Sequence, residues 1–108
     1  MIVQRTWAFC FAMTRWERLR LRAFRRDGFR CRECARYGRH VPAERAHHAW
    51  PREDWPEYEW ELWNLVSLCA GCHDRMHDRH TRQLTELGEY WRRRAVPPEA
   101  DGAGEALR

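Results

Sequence analysis

With 108 residues, the chain has room for one domain and only a modest apolar core. Charged residues make up 33% and the mean hydropathy is −0.90, so no stretch is long or apolar enough to span a membrane, and the core needs help to be stable at this size. The formal net charge is +4, and all 20 basic residues are arginine, a balance that points toward nucleic acid.

The first residues, MIVQRTWAFCFAM, have a weak basic end and too short an apolar run for a secretory signal, so a cytoplasmic, reducing setting is expected. Residues 1–13 read as an N-terminal extension, with Cys10 as an odd free thiol. Thr14 followed by Glu17 makes a capping box that opens a helix running to about Asp27 and stopping at Gly28. Trp16, Leu19, Ala23 and Phe24 recur at helical spacing and form its buried stripe. Arginines fill the other faces: eleven lie between positions 15 and 45, against four acidic residues. Guanidinium forks suit bidentate phosphate contact, which makes Arg22, Arg25 and Arg26 candidate nucleic-acid contacts, with Arg52 in a later loop. A solvated helix face, or arginine use imposed by a GC-rich genome, would leave the same pattern.

The segment FRCRECARYGRH reads as a metal knuckle, with C-x-x-C in a tight turn and Gly38 at a second turn. ERAHHAW follows as a short strand ended by Pro51. REDWPEYEWELW is acidic and aromatic, a loop with a short helical turn, and NLVSL is a second strand leading into Cys69. From about His73 a polar helix is predicted, interrupted near Gly88, with Leu84, Leu87, Tyr90 and Trp91 on one side. Residues 95–108, AVPPEADGAGEALR, have no periodicity and read as a disordered tail, leaving 14–94 as the folded domain.

Two sets of metal-binding residues interlock in this frame. Cys31, Cys34, Cys69 and Cys72 offer four thiolates, a donor set that favours closed tetrahedral structural zinc. Such a zinc supplies about 10–16 kcal/mol of apparent binding free energy to the folded state, the kind of staple a small polar chain needs. A disulfide scaffold is the alternative, and the odd cysteine count speaks against it. The second set is imidazole. His73 and His77 stand at i and i+4, so on one helix both reach a single ion; His80 shares that face and competes with His77. On a strand, neighbours point to opposite faces, so His47 and His48 divide two roles between them: one binds metal, the other faces the water. Histidine, with an unperturbed pKa of about 6.5, is largely neutral yet basic enough to accept a proton at neutral pH. His40 is an ordinary knuckle or surface residue. Trp50, Trp55, Trp60 and Trp63 read as packing in preference to a base-stacking platform, and Asn64 alone would be an ordinary turn residue.

Taken in order, RDGFRCREC, AHHAWP, NLVSLC and CHDRMH resemble the HNH endonuclease family over roughly residues 14–80. The resemblance implies an α+β fold: a zinc-stapled ββα-metal finger preceded by the arginine-rich helix and followed by a C-terminal helix and tail. It implies a catalytic pair, His48 as general base and Asn64 ordering the loop between the strands. His73 matches a metal ligand, and His47 stands where many members carry an Asp ligand. With His77 these would hold one catalytic divalent ion, Mg2+, Mn2+, Ni2+ or Zn2+, beside the structural Zn2+. The implied activity is metal-dependent hydrolysis of DNA phosphodiesters, nicking or cutting, to a 5′-phosphate and a 3′-hydroxyl. DNA is the implied partner, no membrane is involved, and oligomeric state is left open. The alternative is a non-catalytic zinc-stapled DNA-binding module, or a degenerate member that has lost its chemistry.

Overall fold

A computed structural model of the chain describes residues 12–97. Helix α1, Arg15–Arg26, begins where the sequence says it should. Thr14 Oγ1 accepts from the Glu17 backbone N–H at 3.1 Å, and Glu17 Oε1 accepts from the Thr14 N–H at 3.0 Å. This reciprocal cap satisfies two donors that a free helix start leaves unpaired. The helix ends at Asp27 because Gly28 and Phe29 both turn left-handed, at φ 65° and 60°, and the Phe29 N–H closes back on the Phe24 carbonyl at 2.8 Å. Glycine takes that conformation freely; Phe29 takes it only because the turn demands it.

One-turn helix α2, Arg32–Ala35, then leads to strand β1, Arg45–His48. Two 3₁₀ turns, Pro56–Tyr58 and Leu62–Asn64, shape the connecting loop before strand β2, Leu65–Leu68. The strands pair antiparallel with Arg45 opposite Leu68, Ala46 opposite Ser67, His47 opposite Val66 and His48 opposite Leu65. Helix α3, Ala70–Asp74, and helix α4, Glu86–Arg94, complete the described chain. None of the described helices is long and apolar enough to cross a membrane.

Every residue of β2 is buried, because the two-stranded sheet is covered on both sides. On one face Leu65 packs with Leu19 and Ala23 of α1, joined by Trp16, Ala46 and Leu62. On the other, Val66 and Leu68 pack with Cys31, Cys34, Cys72, Met76, Trp91 and Ala95. Strand alternation therefore sorts β1 as well: His48 shares the α1 side with Ala46, and His47 looks the other way. A buried carboxylate ties α2 to α4. Glu33 accepts two bonds from Arg36, at 2.9 and 3.0 Å, and one from Trp91 Nε1 at 2.8 Å. Burial pushes the Glu33 carboxyl up, but the Arg36 and Trp91 bonds outweigh it, and it titrates below its ordinary value.

Three expectations change at the C-terminal end. The helix predicted from His73 stops at Asp74; the chain then turns, and His77 forms an isolated bridge to Leu84. Gly88 does not interrupt a helix but sits inside α4, which Thr85 caps by accepting from the Gly88 N–H at 3.2 Å. A Cβ on Gly88 would stand 2.4 Å from the Met76 carbonyl oxygen and 2.8 Å from Leu84 Cδ2, so the bare backbone is what lets α4 close on the turn below it. Order also runs past residue 94: Ala95 is buried in the core and its carbonyl accepts from Trp50 Nε1. Cys10, most of the N-terminal extension and the tail beyond residue 97 lie outside the described residues.

Candidate metal centres and catalytic face

The four cysteines converge. Their sulfurs all lie within 4.8 Å of one another, the one such group of metal-ligating side chains among the described residues. Each C-x-x-C pair is built the same way: the first cysteine is the N-cap of a one-turn helix, and the second stands three residues on in its first turn. That geometry turns both sulfurs to one side, and it uses the cap itself, since Cys31 Sγ accepts from the Cys34 N–H at 3.4 Å. Cys34 Sγ lies 3.7 Å from Cys72 Sγ and 4.0 Å from Cys69 Sγ. Zinc–sulfur bonds of about 2.3 Å in a tetrahedron put sulfurs about 3.8 Å apart, close to these two separations, so the donor set suits zinc. Burial drives the Cys34 and Cys72 thiols up, while hydrogen bonds from Cys72 and its neighbours hold Cys69 down against burial, so a cation would be needed to hold all four as thiolates.

The histidine set is more open. His47 is 2% exposed, with its ring centre 5.5 Å from that of His73 and 5.4 Å from that of His77. Metal–nitrogen bonds of about 2.0–2.1 Å, with ring centres roughly 1 Å further out, put tetrahedrally disposed imidazoles about 5 Å apart. His47 Nε2 is buried and makes no hydrogen bond, and a metal ion is the kind of partner that would satisfy it. Burial, then the neighbouring His73, His77 and His48, holds the His47 imidazole down at about 3, and burial followed by His77 lowers His73. Both offer lone pairs at neutral pH, which is what a ligand must do. The expected route to this convergence is corrected. His73 sits in the last turn of α3 but His77 lies beyond the helix, so the bridge to Leu84, and not i,i+4 spacing on one helix, brings His77 to His47. Asp78 Oδ1 holds the backbone N–H groups of His80 and Thr81, and His80 is exposed on that loop; the imidazole against His47 is that of His77.

His48 occupies the opposite face, as alternation requires. Its ring stacks on Trp16 with centres 5.3 Å apart and planes 21° from parallel. Nε2 lies 3.0 Å from the Glu59 carbonyl oxygen. A carbonyl only accepts, so Nε2 is the protonated nitrogen of the neutral ring and Nδ1 keeps the lone pair. Burial lowers the His48 pKa against the opposing effect of the Glu59 carbonyl. Asn64 braces the loop that carries Glu59. Fully buried, it accepts from the Trp50 N–H at 2.7 Å and donates from Nδ2 to the carbonyls of Trp50 and Tyr58, both at 3.1 Å. Its contacts are with loop backbone. Trp50, Trp55, Tyr58 and Trp63 pack edge to face within the same loop, while Trp60 stands apart, 37% exposed and edge-on to Trp16.

The candidate DNA contacts divide. Arg22 and Arg25 project from α1 into solvent. Arg26 is exposed too, but engaged: it makes two bonds to the Asp27 carboxylate, at 2.8 and 2.7 Å, and donates to the carbonyls of Leu62 and Leu65 at 2.9 and 2.6 Å. Its guanidinium ties α1 to the start of β2 and is not free to clamp phosphate. Arg52 is exposed and lies 3.5 Å from the Glu59 carboxylate. Two contributors to the His48 environment were not legible in advance. The Glu59 carbonyl is backbone and has no residue signature, and Trp16 fitted the core stripe of α1 without remainder.

The fold is a small α+β unit: two antiparallel strands and a short helix, with a four-cysteine cluster and histidines on either side of β1. The family described as HNH endonuclease matches residues 31–79. The chain is also similar to a solved structure described as the deep-sea thermophilic bacteriophage GVE2 HNH endonuclease with manganese ion, at 33% identity and a TM-score of 0.53. That match covers 67% of this chain and 77% of the phage protein. No curated protein matches. The chain belongs to the HNH endonuclease family.

Proposed function

We propose that the chain is a metal-dependent endonuclease that hydrolyses phosphodiester bonds of DNA, with His48 as the general base. One observation carries the reading: adjacent histidines on β1 face opposite ways, one toward two further imidazoles and one toward a carbonyl that fixes its tautomer. A ligand and a base must be different groups held near each other, and this pair meets that need. His47, His73 and His77 would hold a divalent ion, which when bound neutralises charge on the phosphoryl oxygens and on the departing 3′-oxygen. Manganese in the similar phage endonuclease supports that choice of ion. His48 Nδ1 takes a proton from water; the water oxygen bonds to phosphorus as the bond to the 3′-oxygen breaks, and the departing 3′-oxygen takes a proton from solvent. A 5′-phosphate and a 3′-hydroxyl result. Arg22, Arg25 and Arg52 would contact backbone phosphates, which fixes the strand without reading its sequence. Zinc at the four cysteines would hold the two knuckles together and take no part in the reaction.

The experiment is plasmid nicking with Mg2+, Mn2+, Ni2+ or Zn2+, comparing His48→Ala with His73→Ala. His48→Ala keeps calorimetric metal binding and loses cleavage by about 10²–10⁴-fold. His73→Ala loses metal affinity together with rate. Near-wild-type cleavage by His48→Ala would reject the base assignment, and loss of the ion in His48→Ala but not in His47→Ala would reverse the roles of the pair. Absence of cleavage with every ion, alongside intact DNA binding, would leave a zinc-stapled binding module.

A further inference from the structure

We propose that Trp16, in the first turn of α1, is a positioning residue for the general base, holding the His48 imidazole by its face while the Glu59 carbonyl holds it by its edge. The inference rests on the assignment of His48 as the base. A histidine has two side-chain torsions, and a base that is free to swing samples its productive orientation only part of the time. The Nε2 contact to Glu59, at 3.0 Å, fixes one atom of the ring but leaves it free to rotate about that bond. The stack on Trp16, with planes 21° apart and centres 5.3 Å apart, removes that rotation, so the Nδ1 lone pair keeps one direction.

Trp16 is itself held firmly. It lies between Thr14 and Glu17, whose two reciprocal bonds fix the first turn of α1, and it packs against the Leu19, Ala23 and Leu65 cluster. Trp60 meets its edge at 6.5 Å between centres, and the Arg15 guanidinium lies 4.1 Å from the Trp60 ring centre. The residue after the carbonyl that orients His48 thus buttresses the ring that stacks on it. Trp16 also lies outside the matched residues 31–79, so α1 contributes to the site from beyond the matched segment. An indole that served only to fill the α1 core would not need to lie parallel to the imidazole; a flat face presented to a flat ring is what orientation requires.

The test compares Trp16→Phe, Trp16→Leu and Trp16→Met in the full chain, alone and combined with His48→Ala, in manganese-dependent plasmid cleavage. All three are apolar and smaller than tryptophan, but only phenylalanine keeps a flat face, and Met covers the case in which Leu fails to fold. Leu and Met lower kcat by about 10–100-fold with KM held within about twofold, the loss expected when a reacting group is misdirected. Trp16→Phe restores most of that kcat. On the His48→Ala background the same changes cause no further loss, because Trp16 acts through the imidazole. Wild-type kcat in the Leu and Met variants, a loss confined to KM, failure of Phe to restore, or an equal loss without His48 would each overturn the inference. If His48→Ala itself cleaves normally, the base assignment fails; if it is inactive while Trp16→Leu cleaves normally, only the role of Trp16 fails.

Discussion

Asn64 offers the sharpest test of how the loop holds His48. Replacing it with alanine removes one accepted and two donated hydrogen bonds, at 2.7, 3.1 and 3.1 Å, from a fully buried position. At about 0.5–1.5 kcal/mol each, with the Trp50 N–H and two carbonyls left seeking partners, the expected destabilisation is about 2–4 kcal/mol. Urea unfolding of the zinc-loaded protein reads it as a lower midpoint at unchanged m. Cleavage should fall as well, through kcat, since the freed loop no longer holds the Glu59 carbonyl against His48. Asn64→Asp sharpens the test. Its carboxylate still accepts from Trp50 but faces two carbonyl oxygens, so its folded pKa rises above the ordinary value of about 3.9. The folded state then binds the proton more tightly than the unfolded state, and stability relative to wild type recovers as pH falls from 7 toward 5. An Asn64→Ala midpoint within about 0.5 kcal/mol of wild type, or an Asn64→Asp penalty that grows as pH falls, would refute the reasoning.

Gly88→Ala places a Cβ 2.4 Å from the Met76 carbonyl oxygen, and displacing α4 should cost about 1–3 kcal/mol in urea unfolding despite alanine's better helix propensity. Cys34→Ser should abolish stoichiometric zinc by atomic absorption and leave the domain unfolded, because about 10–16 kcal/mol of metal binding exceeds or matches the stability of most domains. A cooperatively folded, zinc-free protein in strong chelator would defeat that expectation. Arg22→Gln with Arg25→Gln should weaken DNA binding alike on all sequences and reduce the slope of log affinity against log salt by about 0.9 for each phosphate no longer neutralised. A change in site preference at constant slope would contradict backbone binding.

The sequence by itself determined whatever depends on local spacing. The Thr14–Glu17 cap and the stop at Gly28 bound α1 because capping and left-handed turns are decided within a few residues. Each C-x-x-C makes its own knuckle, and alternation along a strand already assigns His47 and His48 to opposite faces. Tertiary structure decided where those faces look. The side of His47 became a cluster of three imidazoles because a turn after Asp74, closed by the bridge from His77 to Leu84, brings His77 to it; the spacing of His73 and His77 in sequence favoured a continuous helix instead. Arg26 looks like its neighbours Arg22 and Arg25 in sequence, yet two carbonyls from residues 36 and 39 positions away capture it. Likewise, Trp16 reads as a core residue until the packing of α1 on β1 lays its ring along His48. Interactions of this kind join residues far apart in the chain, often through backbone atoms that every residue shares, so no pattern of side chains announces them.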